Sequence, residues 1–527
     1  MGDEQCLHPS LRPPVHGNQP AIPESCTWIL LDLYAYVADR ENATSAWGWM
    51  SDNTQIRVTL CAAQPPLVSY LCVWCPGRQP TEVAVRNTVL AAESDLLLIC
   101  VSLGCWERGR GDYFVYMAAG GGNHGPSLTL LPDPSSFLTR RHNVTLLAHN
   151  DVDGGRAHLC LRQHGAKARF YMVVLNPNSR AGDGHFDLCV FSSEEEKWTT
   201  RDIFIDFPCY HKTSKVVTLG EDGLLGFVDL WRGIIVCDVV GRKPPRYLPL
   251  PTSLIRPDNI YEDSLRSRDI VFIGGCLTIV ELRHINDPDS CTLSWEVSTW
   301  SRMVTRLWEE DWCNQHTIQS PSIVVDSNTS NVDLLPKLKD SEGTLRPTLQ
   351  GLYPDHPTLS LSDSHIVYIM TKVSHSDKKA LVLFIDMTTP RVQGLAVFDA
   401  ERMLGYTYMQ SRIPEYFHMA SGVKENSKRP GKFRLRYPRK LHNRGGVTGT
   451  SDEDELDIAL YRFVVNHHLY IHGDYSSKAM PRLRFVVLQW HLSKYAPKIL
   501  VADPFCWFKY VYHGIHHAYQ RKRAAIL

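Results

Sequence analysis

The chain has 527 residues, 43% of them hydrophobic and 21% charged, with 56 basic and 56 acidic side chains. That length holds two or three ordinary domains or one large repeat fold, and the composition is that of a globular chain, not a disordered one. A formal net charge of zero leaves no overall field to attract nucleic acid or an anionic membrane, so any such attraction has to be local.

Residues 1–26 are polar and carry five prolines by Pro23, which reads as a flexible Pro-rich arm. Asp3 and Glu4 stand where a signal peptide carries positive charge, so secretion is disfavoured. From Trp28 the pattern becomes strand, turn, strand. Cys72 and Cys75 have the spacing of half a zinc site with Cys61 upstream, but no second Cys or His pair follows, and core packing is the expected role. The longest apolar run, Leu96 to Trp106, is too short for a membrane-spanning helix. Arg110-Gly111-Asp112 matches an adhesion tripeptide without further support.

Gly120-Gly121-Gly122-Asn123-His124-Gly125 has dinucleotide-fingerprint spacing, yet strand-like residues follow it, so no helix dipole faces a phosphate and a hairpin loop is expected. Asp151-Val152-Asp153-Gly154-Gly155 resembles the start of a calcium loop but lacks the closing Glu, which leaves an Asx-type turn. Phe170–Leu175, Phe186–Phe191 and Lys197–Ile205 are strands of an antiparallel meander. Similar meanders are expected at Asp95–Leu131, Val216–Pro251, Asp269–Thr305 and Thr358–Phe398.

Gly223–Pro251, GLLGFVDLWRGIIVCDVVGRKPPRYLPLP, is the most informative stretch, with apolar runs cut by Asp-Leu-Trp-Arg-Gly and by Gly-Arg-Lys-Pro-Pro. Ile234–Val240 reads as a buried strand; Gly233 is expected to supply a positive φ, and Pro244-Pro245 ends the pairing. Asp229 and Asp238 flank the Trp231-Arg232-Gly233 turn and are expected to accept backbone N–H bonds at strand ends.

Residues 309–356 read as a loop insertion and 424–457 as a charged disordered insertion, after which 458–527 returns to strand character and a tail. Within 424–444 lie Lys424, Lys428, Arg429, Lys432, Arg434, Arg436, Arg439, Lys440 and Arg444 against Glu425, followed by Asp452, Glu453, Asp454, Glu455 and Asp457. A solvated, self-screening loop is the favoured reading; a nucleic-acid or nuclear-import tract, with Phe433 and Tyr437 able to stack on bases, is the alternative. His467, His468, His472 and His513, His516, His517 have no accompanying carboxylate or Cys pattern and read as surface histidines.

Units of three or four short strands at intervals of roughly 40 to 55 residues call for a β-propeller-like repeat, because one such sheet cannot bury both faces alone. The fold expected is all-β: an irregular propeller-like array of six or seven blades over 27–423, with paired β-sandwiches as the alternative. No Walker A, G-x-S-x-G or H-E-x-x-H motif occurs. No catalytic, cofactor-binding or metal-binding residue is therefore assigned, and the chain reads as a non-enzymatic module that binds another protein. A propeller enzyme with catalytic residues gathered from distant blades is the competing class. Fifteen cysteines, among them Cys100, Cys160, Cys189 and Cys237 in apolar runs, fit reduced thiols in a cytoplasmic or nuclear protein, leaving the sequons at Asn42, Asn143 and Asn328 unused.

The block GLLGFVDLWRGIIVCDV with RYLPLP resembles the central signature of the plant family called Domain of Unknown Function 1618, which is abundant in grasses. WILLDLYAYVADRENATSA, IRVTLCAAQPPLVSYLCVWCPG, WEVSTWS, PTLSLSDSHIVYIMTKVSHSDKKALVLFIDM and LGYTYMQSRIPEYF resemble its other segments, so the resemblance spans about Trp28 to Phe417. It implies no activity, cofactor or catalytic residue. The blade-like motifs are also similar to the propeller modules that follow F-boxes in plant ubiquitin-ligase adaptors, though the short Pro-rich segment before Trp28 contains no recognisable F-box.

Overall fold

The computed structural model describes residues 12–420, with breaks of which the longest are 103–110, 149–169, 286–293 and 399–407. The chain begins with two short strands, β1 (Ile29–Asp32) and β2 (Tyr34–Val37), then the meander β3 (Ala46–Trp49), β4 (Gln55–Cys61) and β5 (Val68–Trp74). Both β1 and β2 run parallel along β5, with Leu30 opposite Val68 and Tyr36 opposite Cys72, so together they form one inner strand interrupted at Leu33. Five further meanders follow. The first is β6 (Asn87–Glu93), β7 (Leu96–Ser102), β8 (Gly111–Met117) and β9 (Ser127–Leu130), and the second β10 (Val144–Ala148), β11 (Phe170–Pro177), β12 (His185–Ser192) and β13 (Lys197–Phe204). The third is β14 (Lys215–Thr218), β15 (Leu224–Asp229), β16 (Gly233–Asp238) and β17 (Arg246–Pro249), and the fourth β18 (Arg268–Ile273), β19 (Cys276–Ile285), β20 (Ser294–Met303) and β21 (Cys313–Gln319). A small hairpin, β22 (Lys337–Lys339) with β23 (Leu345–Pro347), precedes the last meander, β24 (Tyr353–Leu359), β25 (Ile366–Lys372), β26 (Ala380–Asp386) and β27 (Arg391–Phe398). The described chain ends in β28 (Tyr408–Ser411) and a short helix, α1 (Ile413–Ala420).

Outer strands such as β13 and β21 are largely exposed, whereas the inner strands of the sheets are apolar on both faces: β16 is buried at every residue from Gly233 to Asp238, and β7 at Leu96, Leu97, Leu98 and Ile99. Such strands must be covered on two sides, and the packing shows by what. Each of six apolar clusters lies between two consecutive sheets. Val89, Leu97 and Phe114 join Val37, Val58 and Leu71; Leu98 and Val115 join Leu146 and Val174; Val173 and Leu188 join Leu225 and Ile235. Val228 and Ile234 then join Ile270 and Ile279, and Val280, Trp295 and Val297 join Leu359, Ile369 and Leu383. The sixth cluster closes the circle, because Tyr368, Val382 and Phe398 of the last meander pack on Leu30, Tyr36, Val68 and Tyr70 of the opening strands β1, β2 and β5. The fold is thus an all-β propeller-like ring of six sheets.

Backbone pairing reinforces that closure. Strand β28 pairs antiparallel with β1, from Ile29 opposite Ser411 to Asp32 opposite Tyr408, while β2 pairs on its free side with β6. Helix α1 then buries Ile413 and Tyr416 in the first cluster.

Some local expectations differ from what is found. Gly233 is not in the left-handed region; a Cβ there would lie 2.4 Å from the Tyr247 ring, so the glycine is needed for close strand approach. The positive φ values fall at Gly223 and Gly241 instead. Residues 309–356, read as a loop, open with β21, which completes the fourth sheet against β20. From residue 12 the N-terminal arm lies against β5: Tyr70 Oη donates to the carbonyls of Pro14 (3.0 Å) and His16 (2.5 Å).

Because Leu30 is fully buried at the closing seam, Leu30→Ala should cost about 2–5 kcal/mol, as an internal seam position such as Leu383→Ala should. Urea denaturation followed by fluorescence checks this; an unaffected midpoint for Leu30→Ala would contradict closure.

Candidate functional site

Two polar constellations stand out in this apolar ring. The first is built on the turn between β15 and β16. Asp229, fully buried, accepts from the backbone N–H groups of Trp231 (2.9 Å) and Lys212 (2.8 Å) and from Arg232 Nη1 (3.0 Å). Arg232, 4% exposed, donates onward to the carbonyls of Pro257 (2.7 Å) and Asn259 (3.1 Å) and lies over the Tyr210 ring. Trp231 Nε1 donates to the Glu262 carbonyl, and its ring sits 4.5 Å from the guanidinium of Arg268. Arg268, fully buried, pairs with Glu281 at 2.6 Å and donates to the carbonyls of Leu230 and Leu254. Burial lowers the Arg268 pKa and Glu281 opposes that shift. Buried guanidinium groups are tolerated only when their donors are spent. Here most of them are spent on Asp229, Glu281 and the carbonyls of Leu230, Leu254, Pro257 and Asn259, with Arg232 Nε left without a partner among the described residues, which makes this constellation a structural clamp between the β15–β16 turn and the connection that follows.

The second constellation draws on strands from around the ring. Lys215 of β14 pairs with Asp269 of β18 at 2.7 Å and donates to Gln410 Oε1 of β28 at 2.9 Å. Gln410 Nε2 donates to Asp269 (2.5 Å) and to the Leu359 carbonyl of β24 (3.0 Å), and the Leu359 N–H donates to Asp269 at 3.1 Å. Nearby in the ring, Thr218 at the end of β14 donates to Glu93 at the end of β6 (3.0 Å). Sheets that are not neighbours in the ring, the first and third, thus touch through their first strands, as they can only near the axis. Desolvation raises the Glu93 pKa against the opposing effects of Thr218, Ser94 and Arg412.

Chemically, Asp269 is an acceptor with its donors in place and Lys215 a cation already neutralised. The combination resembles neither an exposed nucleophile with its base nor a metal cage: among the described residues no three His, Cys, Asp or Glu side chains are grouped to hold a metal ion. Elsewhere, Asn143, Leu175, Pro177, Phe186, His211 and Thr213 line a cleft too narrow for a water molecule.

The sequence candidates are dispersed. Cys61, Cys72 and Cys75 are all buried, with Cys61 and Cys72 in contact and Cys75 apart in the first cluster. Asp238 accepts from the backbone and side chain of Arg242. Asp112 accepts from the N–H and hydroxyl of Ser51. Gly120 to His124, Arg110, Asp151 to Gly155, the basic tract 424–444, Asp452 to Asp457 and the histidines at 467–517 lie outside the described residues. Glu93, Lys215, Asp269 and Gln410 were not singled out from the sequence. Each is one polar residue in a short strand, and only the ring topology brings them together.

Residues 227–368 match the family model described as "Protein of unknown function (DUF1618)", a span that includes the whole Asp229–Arg232–Arg268 clamp. No curated protein matches the chain. Among solved structures, it is similar to an alpha-L-arabinanase from Penicillium chrysogenum complexed with arabinobiose, at 10% identity and a TM-score of 0.23, over 60% of this chain and 93% of that one. It is also similar to an alpha-L-arabinofuranosidase from Fusarium graminearum in complex with an iminosugar inhibitor, at 8% identity and a TM-score of 0.18, over 71% and 98% of the two chains. Similarities this low carry no functional meaning. Among the described residues no helix is long and apolar enough to cross a membrane.

Asp229→Ala should cost roughly 3–5 kcal/mol because it strands a buried guanidinium. Arg232→Met should cost less, since Asp229 keeps the Lys212 and Trp231 amides. Equilibrium urea unfolding gives the order. The raised pKa of Glu93 means that its contribution is fully present below the ordinary glutamate pKa and is lost as pH rises through the raised value. Glu93→Gln should flatten that decline in a pH series of denaturation midpoints.

Proposed function

We propose that this chain is a non-enzymatic interaction module, a rigid ring that presents rim and edge side chains to another protein. The observation that carries this reading is the axial cluster, where Lys215, Asp269 and Gln410 satisfy one another instead of converging on open space. Loops and edges on a rigid framework are where binding residues concentrate. The strongest offered surface is β3, the outermost strand of the sheet formed by β1 to β5. Trp47 and Trp49, 42% and 60% exposed, share one face of β3, with Arg57 stacked 5.0 Å from the Trp47 ring. Exposed tryptophans of this kind are typical anchors of protein interfaces.

The similarity of the blade motifs to propeller modules of plant ubiquitin-ligase adaptors supports a protein as the occupant, in a plant cell. The free cysteines among the described residues, most of them buried, support a cytoplasmic or nuclear location. One observation favours an enzyme instead: Glu93, with its raised pKa, and Asp269 are two carboxylates on strands from different sheets.

Thermal unfolding separates the two readings without a known substrate. Catalytic groups are commonly held at a cost to stability, so their removal is neutral or stabilising. A structural lock behaves the other way, and Asp269→Ala should cost roughly 3–5 kcal/mol by leaving Lys215 unpaired. A raised Tm for Asp269→Ala would overturn the module reading. For the surface, Trp47→Ser with Trp49→Ser should leave Tm nearly unchanged while abolishing retention of a protein partner that the unaltered ring holds.

A further inference from the structure

The closing seam contains a pair of thiols that the foregoing roles do not use. Cys61 on β4 and Cys72 on β5 are 0% and 1% exposed, with their Sγ atoms 4.0 Å apart. They sit diagonally across the antiparallel pair, Cys61 opposite Tyr70 and Cys72 opposite Thr59. Cys75 packs in a different cluster and takes no part. Their surroundings are polar for a core: Arg40 hydrogen-bonds Tyr70 Oη and its guanidinium lies 5.6 Å from the Tyr70 ring.

We propose that Cys61 and Cys72 are a redox-active pair that peroxide converts to a disulfide, and that residues 12–17 are the cover controlling its access. A Cβ on Gly17 would stand 3.0 Å from the Cys61 carbonyl, so the arm runs directly over that cysteine. The arm is held by three contacts on β5: Tyr70 Oη to the Pro14 and His16 carbonyls, and the His16 ring to the Val68 carbonyl at 2.7 Å.

The chemistry balances with peroxide alone. The Cys61 thiolate attacks one peroxide oxygen, the O–O bond breaks, and the departing hydroxide takes a proton to become water, leaving a sulfenic acid on Cys61. Cys72 sulfur then attacks that sulfur, the S–O bond breaks, and the hydroxyl leaves as a second water carrying the Cys72 proton. Two thiols and one hydrogen peroxide thus give one disulfide and two waters. Cys61 is the fitting attacker: the Cys72 thiol, the Arg40 charge and Tyr70 draw its pKa down to about 7 despite burial. Closure brings the sulfurs about 2 Å nearer, to bonding distance. This shift acts on the strand that carries Tyr70.

The full chain is treated with hydrogen peroxide, its remaining thiols are blocked, and cysteine linkage is mapped by mass spectrometry after chymotryptic cleavage at Tyr70, which separates Cys61 from Cys72. A Cys61–Cys72 linked peptide, lost again on reduction, is the expected result. In Cys72→Ser, Cys61 should stop at the sulfenic acid and be captured by a dimedone probe. His16→Ala removes the ring's hydrogen bond from the arm to the Val68 carbonyl while keeping Arg40, Tyr70 and Cys72 around Cys61, and should speed linkage roughly fivefold. Oxidation of exposed Cys313 with no Cys61–Cys72 linkage, a linkage to Cys75 instead, or an unchanged rate in His16→Ala would each overturn the proposal.

Discussion

A four-stranded sheet that is apolar on both faces cannot be buried by one neighbour, and everything else in this protein follows from that constraint. Strands such as Gly233–Asp238 leave no side for water. A linear stack would end in two exposed apolar faces, and a sandwich would leave the outer face of each sheet uncovered. A ring solves the problem for every sheet at once, provided its ends meet. They meet here through the parallel docking of β1 and β2 on β5, the antiparallel addition of β28 to β1, and the cluster joining Tyr368 and Val382 to Leu30 and Tyr70.

Ring closure creates a second problem at the centre, where first strands converge and polar groups lose water. The solution differs from that at the β15–β16 turn. At the turn, charged side chains are paired within a short stretch of chain and with the connection that follows. Near the axis, the partners come from β6, β14, β18, β24 and β28. Because Gln410 offers both a donor and an acceptor, it bridges Lys215 and Asp269 without adding charge. The last strand therefore serves the ring twice, by its backbone on β1 and by this side chain among the facing strands.

How much of this was legible in the sequence depended on whether the determining interaction was local. The meander Val216–Pro251 was readable because its turns carry their own chemistry: the Asp229 side chain caps the Trp231 amide two residues on. The all-β class followed from many such segments, and the ring from their repetition. Gly233 was visible as a special position, but its cause, the Tyr247 ring on the next strand, depends on cross-strand register. Strand β21 escaped notice because its CNQHTIQ buries only Ile318, so it lacks the alternation that marks a strand. The axial cluster left no linear trace at all, its members being separated by as many as 195 residues.

The same distinction bears on where the molecule gives way. Five of the six seams join sheets consecutive in sequence, whereas the sixth joins residues 28–72 to residues 366–398 and pays the largest loop-closure entropy. Contacts of long separation form late and are the ones a local opening releases at least loss to the remaining structure. The N-terminal arm, the first strand and the last strand all meet there. Cys61 and Cys72 lie within that seam, so the thiols with the greatest potential for chemistry sit where the ring is joined.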